Sequence, residues 1–435
     1  MALAPSAAGH SASTDDAGHI DAPELRVFVV ALFFIFGGIT SLNDVIIPKL
    51  KELFTLNYGQ AMLVQTAFFL AYAIIGIPGA AIVKRVGYMR GASIGLLTMM
   101  AGCILFIPAS NSATFAVFLA ALFVLASGVT IVQVVSNPLI TLLGPARTAS
   151  SRLTFAQAFN SLGTTIFPIV GSWLMLGQLA KVKASDLSGA ALDAYRVAST
   201  QAVEHSYLGL AVALAVVAAV VFANRNRLQG EHHDHGSVLK SFDLLLQPRF
   251  GLGALCIFLY VGAEVAIGSF IVNYMKQPHV LGLDDLGAGA LIPFYWGGAL
   301  VGRFVGSLVM REIDPAKVLV FNACGAIVLL AITSLTGGQV AAVSFLAIGV
   351  MNSIMFPTIF TLACEGLGER AADGSGVICV AIVGGAVIPP LTGTLADVTH
   401  SLELALLLPA ACYAVIAGFG WYARHDKAAS VVVAG

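Results

Sequence analysis

Twelve apolar runs divide this chain, and they constrain its fold more than any other feature. They fall near 25–48, 59–83, 91–109, 113–142, 152–177, 203–224, 251–275, 287–310, 317–335, 338–364, 372–396 and 401–423. A helix crossing a bilayer needs about 20 apolar residues. The composition agrees: 58% of the 435 residues are hydrophobic and only 10% charged, where soluble proteins run near about 45–50% and about 25%. The mean hydropathy is +0.91. A soluble enzyme is excluded on this ground, and so is disorder, which needs low hydrophobicity and high net charge. With 22 Lys and Arg against 23 Asp and Glu, no basic excess is left for nucleic acid. The expected fold is an all-α membrane protein of twelve transmembrane helices.

The six cysteines lie inside apolar stretches and form no CxxC pair, so they read as buried hydrophobes. No metal or cofactor site is expected. Residues 1–24 carry Asp15, Asp16, Asp21 and Glu24 without a basic region before the first apolar run. They read as a disordered cytoplasmic tail, not a cleaved signal peptide. The connection 225–250 is polar and holds His232, His233, Asp234 and His235; a solvated linker is expected there rather than a metal tract. It divides the chain into six-helix units at 25–224 and 251–424, with a second tail at 425–435. Placing both termini inside puts fifteen Lys and Arg on inside segments and six outside, with Arg303 inside a span. The positive-inside rule then favours cytoplasmic termini.

The two units share signals at a nearly fixed offset. Gly163, Pro168 and Gly171 spell G-x4-P-x2-G, and Gly385, Pro390 and Gly393 repeat it 222 residues later. Pro138 and Pro357 are 219 apart, Arg85 and Arg311 226, and Gly37 and Gly262 225. A duplicated six-helix unit follows. Parallel repeats of this kind build the major facilitator transporters, whose substrate site lies between the repeats near mid-membrane.

Ionisable side chains within lipid are costly and mark functional sites by default. Asp44 lies near the outer end of the first span. Apolar surroundings penalise its charged form, which suits it to load and release a proton. Glu264 lies mid-span, and Tyr260, Glu264 and Gly268 recur at i, i+4 and i+8 on one face. That face should line a cavity. Arg303 lies near the inner end of its span. It is expected to pair with a carboxylate (Asp373 or Glu365) or with carbonyls, or to snorkel. Lys84, Arg85, Arg303 and Arg311 together are expected at a cytoplasmic gate.

Amides form the second set. Gln133 and Asn137 are i, i+4, and Gln157 and Asn160 are i, i+3, so each pair shares a face. Amides donate and accept, as a polyhydroxy substrate requires; they also knit helices together, and spacing leaves both roles open. Asn43 and Asn352 join the substrate set, with Tyr260 and Trp296. Phe36, Tyr295 and Trp296 are candidate rings for a sugar face. Asn273 lies about 180° from Glu264 on an ideal helix. No Walker loop or HExxH occurs, so neither an ATP-driven pump nor an enzyme is expected.

Six stretches carry a resemblance: Ser41 to Asp44, Gly128 to Gly144, Arg152 to Gly163, Phe258 to Tyr274, Phe294 to Gly306 and Ala381 to Pro389. Over residues 26–424 the chain resembles the fucose–proton symporter family, and within it the bacterial glucose/galactose transporters. The resemblance implies proton coupling at Asp44 and sugar contacts at Gln157 and Asn160. Gln133 stands where the fucose symporter has a second coupling acid, Glu264 where it has an amide, and Phe356 where it has a tyrosine. Two schemes stay open: one acid exchanged for another across the cavity, with Glu264 as proton carrier or sugar ligand, or sodium as the ion. The loop signal G-x-x-x-D-R-x-G survives as Ala80, Lys84, Arg85 and Gly87 without its acid, so the usual ion pair at that loop cannot be assumed.

The expected activity is proton-coupled import of a monosaccharide, glucose or galactose, by a monomer in the bilayer. The alternatives are a sodium-coupled symporter, a proton-coupled exporter and a non-transporting sugar sensor.

Overall fold

A computed structural model describes residues 23–53, 58–112, 114–176, 188–226 and 238–433. The side chains of 43–53, 58–62, 171–176, 191–203 and 425–433, among others, fall outside that description. The first half contains α1 (Pro23–Leu53), α2 (Tyr58–Val86), α3 (Tyr88–Ser112), α4 (Phe115–Leu142), α5 (Ala149–Leu176) and α6 (Ala190–Ala223). The second half opens with α7 (Pro248–Met275), and its remaining spans are α8 (Asp285–Gly289) with α9 (Ile292–Glu312), α10 (Pro315–Leu335), α11 (Gly338–Asn352) with α12 (Met355–Cys364), α13 (Ala371–Ala381) with α14 (Gly384–Thr399), and α15 (Leu402–Ala405) with α16 (Leu407–Val433). Each half is a six-helix bundle, and the whole is a multi-pass membrane protein.

Among the described residues, eleven stretches are long and apolar enough to cross a bilayer. α5 is not among them; its first half carries Ser150, Ser151, Arg152, Gln157 and Asn160. It completes the twelve by packing, wedged between α1 and α9. Polar side chains survive in a membrane where protein covers them, and Ser150, Ser151 and Gln157 of α5 are buried.

The duplication is visible as repeated contacts. A Cβ on Gly163 of α5 would collide with the Phe34 carbonyl of α1, and one on Gly384 would collide with the Phe258 carbonyl of α7. Gly38 faces the Phe167 ring as Gly262 faces Ile388. The offsets are 224 along α1 and α7 and 221 along α5 and α14. This moves two sequence pairings by one residue: Gly262 corresponds to Gly38, not Gly37, and Gly163 to Gly384, not Gly385. Adjacent glycines at both places leave the register ambiguous until backbone contact selects one.

The halves meet chiefly along two helix pairs, α2 with α13 and α5 with α9, with α4 on α13 and α12 on α5 beside them. In the first pair the backbones touch: a Cβ on Gly76 would lie 2.7 Å from the Gly376 carbonyl oxygen, and one on Gly376 would lie 2.7 Å from that of Gly76. Polar contacts extend both seams toward the face that carries the linker. Lys84 Nζ lies 3.1 Å from Asp373 Oδ2. Ser150 and Thr361 hydroxyls are 2.6 Å apart, and Ser151 Oγ donates to the Ser307 carbonyl at 2.5 Å. The structure is therefore closed on the linker face.

The linker departs from expectation. Val238–Leu246 forms a 3-10 helix that packs on α2, α7 and α13, with Ser241 and Leu244 buried. Leu244 needs apolar cover, and Ser241 Oγ donates to Asp373 Oδ1 at 2.8 Å. The solvated-linker reading therefore fails for this part. His232, His233, Asp234 and His235 lie outside the described residues, as does the tail through residue 22. α16 continues to Val433, into the segment expected as a tail.

Candidate functional site

The polar centre of the second half is built on a helix break. α11 ends at Asn352 and α12 starts at Met355. Pro357 explains part of this: it has no N–H for the carbonyl of Ser353, four residues earlier. Side chains from neighbouring helices take the freed carbonyls. Arg303 Nε donates to the Ser353 oxygen at 3.2 Å, and the Asn352 oxygen lies 3.0 Å from the Tyr260 hydroxyl. Unsatisfied backbone in a bilayer is expensive, so these two contacts hold the break open as much as the proline creates it. α9 approaches because Gly302 faces Ser353, where a Cβ would lie 2.6 Å from the Ser353 Cβ.

Glu264 joins this centre. The Tyr260 hydroxyl lies 2.8 Å from Glu264 Oε1, one turn along the same helix. The i, i+4, i+8 face holds together: a Cβ on Gly268 would lie 3.3 Å from the Trp296 ring, which stacks edge-on with Tyr295 at 5.1 Å between centroids. Asn352 is fully buried. Its Nδ2 donates to the Tyr295 hydroxyl at 2.8 Å, and its Oδ1 accepts from the Tyr413 hydroxyl at 2.7 Å. Three tyrosines from three helices thus converge on one amide and one acid.

Tyr260 poses a counting problem. Its hydroxyl has one proton and faces two acceptors, a carboxylate and a carbonyl. An ionised Glu264 leaves one of them unserved. A proton on Glu264 donates to the Tyr260 oxygen and frees Tyr260 to donate to Asn352.

The first-half amides are arranged differently. Gln133 Nε2 donates to the Tyr72 hydroxyl at 3.0 Å. Asn160 Nδ2 donates to the Phe33 carbonyl at 3.3 Å, so it ties α5 to α1. Gln157 is buried, and its backbone oxygen accepts from Arg303 Nη1 at 3.2 Å. Asn137 is fully buried, and neither amide atom has a protein partner. An unserved buried amide destabilises by about 1–3 kcal/mol per group, so among the described residues Asn137 is the polar side chain this closed arrangement leaves least satisfied. Asn43 and Asp44 lie on the part of α1 whose side chains are outside the described residues.

Of the expected gate residues, Lys84 and Arg303 bridge the halves. Arg303 also donates to Ser161 Oγ. Its carboxylate partners proposed from sequence are engaged elsewhere: Asp373 with Lys84 and Arg370, Glu365 with Arg249. Arg303 uses carbonyls because the break exposes them beside it. Lys84 occupies the position of the missing loop acid and makes an ion pair nonetheless. Arg85 and Arg311 are exposed. Phe36 is fully buried and packs on Phe33 at 5.0 Å, so it offers no ring to a sugar. Tyr72, Ser161 and Tyr413 were not singled out by sequence. Each is a lone polar tip in an apolar run, and only the neighbouring helix reveals its partner.

The family model described as Major Facilitator Superfamily matches residues 29–390. A glucose/galactose transporter of Brucella abortus is 50% identical over 390 residues, 89% of this chain and 91% of that protein. The L-fucose-proton symporter of Escherichia coli is 31% identical over 413 residues, 91% of this chain and 93% of that one. The crystal structure of FucP, described as in the outward conformation, superposes with a TM-score of 0.82 at 29% identity and covers 92% of this chain and 98% of its own. Repeated contacts at a fixed offset, a broken helix beside a half-buried acid, and these three likenesses agree: the chain belongs to the major facilitator superfamily.

Proposed function

We propose that this chain imports a hexose, glucose or galactose, by proton symport with alternating access. The observation that carries the coupling is the Tyr260 hydroxyl between Glu264 and Asn352, which is fully bonded only when Glu264 holds a proton. The sugar assignment is supported by the Brucella relative, which shares half its residues over nearly the full length. Glu264 and Asp44 carry protons on this reading. Asn43, Gln133, Asn137, Gln157, Asn160, Tyr260, Glu264, Trp296 and Asn352 supply hydrogen bonds and a ring face to the sugar, with Asn137 gaining its partner in another state of the cycle. The linker face is cytoplasmic by the positive-inside count, in a bacterial inner membrane, so the closed seam at Lys84 and Arg303 makes this the outward-facing state, with Arg85 and Arg311 at its rim. The halves divide at the 225–250 connection, and the protein acts as a monomer.

Coupling predicts that sugar binds more tightly to the protonated site and, by linkage, that sugar raises proton affinity there. The test is labelled glucose uptake into sodium-free proteoliposomes with an acid exterior. Accumulation above equilibrium that galactose competes away is the expected result, and Asp44→Asn should then abolish it. Uptake that ignores the proton gradient and follows added sodium overturns the ion; binding without flux overturns transport.

A further inference from the structure

The seam between the halves carries a second cavity, remote from Glu264 and of different chemistry. It lies on the linker face between α1, α5 and α9, with a volume of about 660 Å³. Three arginines line it: Arg26 and Arg152 from the first half and Arg311 from the second. Its other walls are largely apolar, including Val30, Phe155 and Phe159. Val27 and Phe155 are 73% and 40% exposed, so the cavity opens sideways, where a membrane protein meets lipid tails. Among the described lining residues there is no carboxylate.

The arginines are held in place. Arg26 Nε donates to the Leu143 carbonyl at 2.8 Å. Arg152 bonds the carbonyls of Ile140, Thr141, Gly144 and Pro145 and the Thr148 hydroxyl. These partners are neutral, and among the described residues no acid pairs with either guanidinium. The carbonyl end of α4 favours cations there. Arg311 stands at the last turn of α9 with its side chain exposed.

We propose that this cavity binds the phosphate headgroup of an anionic phospholipid, with the acyl chains running along Val27, Val30 and Phe155. Two features select a lipid over a free anion. The charges sit at the level where one leaflet's headgroups lie, and most of the remaining wall is apolar. Basic pockets between transmembrane helices suit such headgroups. The site draws on both halves, and Ser151 to Ser307, one of the hydrogen bonds that join them, includes one of its lining residues. A bound headgroup therefore bridges Arg26 and Arg311 across a seam that must part during alternating access, and it stabilises the closed linker face. This use of the seam rests on the transport reading above; the binding itself does not.

The test uses the full-length protein in phosphatidylcholine vesicles doped with a photoactivatable phosphatidylglycerol. Crosslinked peptides from α1, α5 or α9 are expected, and unlabelled phosphatidylglycerol should compete for them. Arg311→Gln should weaken that competition about fivefold, the worth of one basic side chain at a lipid surface. Arg311→Lys should restore it. Arg225→Gln, a basic residue on the same face outside the cavity, should leave it unchanged. Equal competition by inorganic phosphate would overturn the lipid assignment. Labelling that Arg311→Gln does not alter, or that scatters over all helices, would overturn the site. A failure of glucose transport in the same vesicles leaves this result intact, so the two readings are separable.

Discussion

In the first half, Gln133 donates to Tyr72 across 3.0 Å; in the second, Asn352 donates to Tyr295 across 2.8 Å. Gln133 and Asn352 are 219 positions apart and Tyr72 and Tyr295 are 223, so these are one ancestral pair seen twice. What surrounds the pair differs. Where the second half has Tyr260, Glu264 and Arg303, the first has Phe36, Thr40 and Ala80 at the same offsets. Among the described residues Thr40 bonds back to the Phe36 carbonyl of its own helix, at 2.8 Å. The prolines are equivalent too, yet α4 runs unbroken through Pro138 while α11 and α12 part before Pro357. Proline alone does not break a membrane helix; outside side chains must claim the released carbonyls, and only the second half has Arg303 and Tyr260 to do so. One copy has remained scaffold, and the other has gathered charge around a break.

The largest effect that tests this asymmetry is on coupling. Glu264→Gln should hold uptake at the equilibrium level under a proton gradient while sugar exchange persists. Thr40→Val, at the matching position, should still accumulate. Equal loss in both would show that the halves share the coupling.

Stability comes next. Asn352→Ala strips partners from the Tyr295 and Tyr413 hydroxyls and should destabilise by about 2–3 kcal/mol. Gln133→Ala releases one hydroxyl and should destabilise by about 1 kcal/mol. Thermal unfolding of the two variants in one detergent would rank them, and the reverse order would break the comparison.

A smaller difference is expected at the glycines facing each break position. Gly302→Ala pushes on Ser353 and should destabilise by about 1–3 kcal/mol. A Cβ on Gly79 would meet Ile131 at an ordinary 3.5 Å, so Gly79→Ala should change stability by less than about 0.5 kcal/mol, again read by thermal unfolding.

The smallest effect concerns the linker that joins the halves. Arg370 hydrogen-bonds Asp243 at 2.5 Å and holds its carboxyl below the ordinary range. A depressed carboxyl contributes stability above its unfolded pKa of about 4 and loses it as pH falls further. Hydrogen exchange over Val238–Leu246 should therefore stay constant from about pH 8 to about pH 5 after correction for intrinsic rates, and opening should rise only in stronger acid. Asp243→Asn should remove that acid response.

The site was partly legible in the residues. Glu264 stood out because a carboxylate amid apolar helix is costly wherever it lies, and its i, i+4 spacing to Tyr260 fixed their contact before any packing was known. Arg303 stood out for the same reason, but its partners did not, since Ser353 and Ser161 come from other helices. Asp373 looked equally available to it and proved to belong to Lys84. Tyr413 gave no signal at all. A hydroxyl in an apolar run acquires meaning only from the helix it faces.

The sequence by itself determined the membrane class, twelve helices and their duplication, because burial in lipid and helical period act locally along the chain. Only tertiary structure decided the one-residue register of the repeat, the break after Asn352, the docking of the linker and the meeting of three arginines from two halves. Each of these depends on a carbonyl or a charge finding a partner fifty or more residues away, or on backbones approaching where a glycine leaves room. Such partners are chosen by packing among many that composition allows equally.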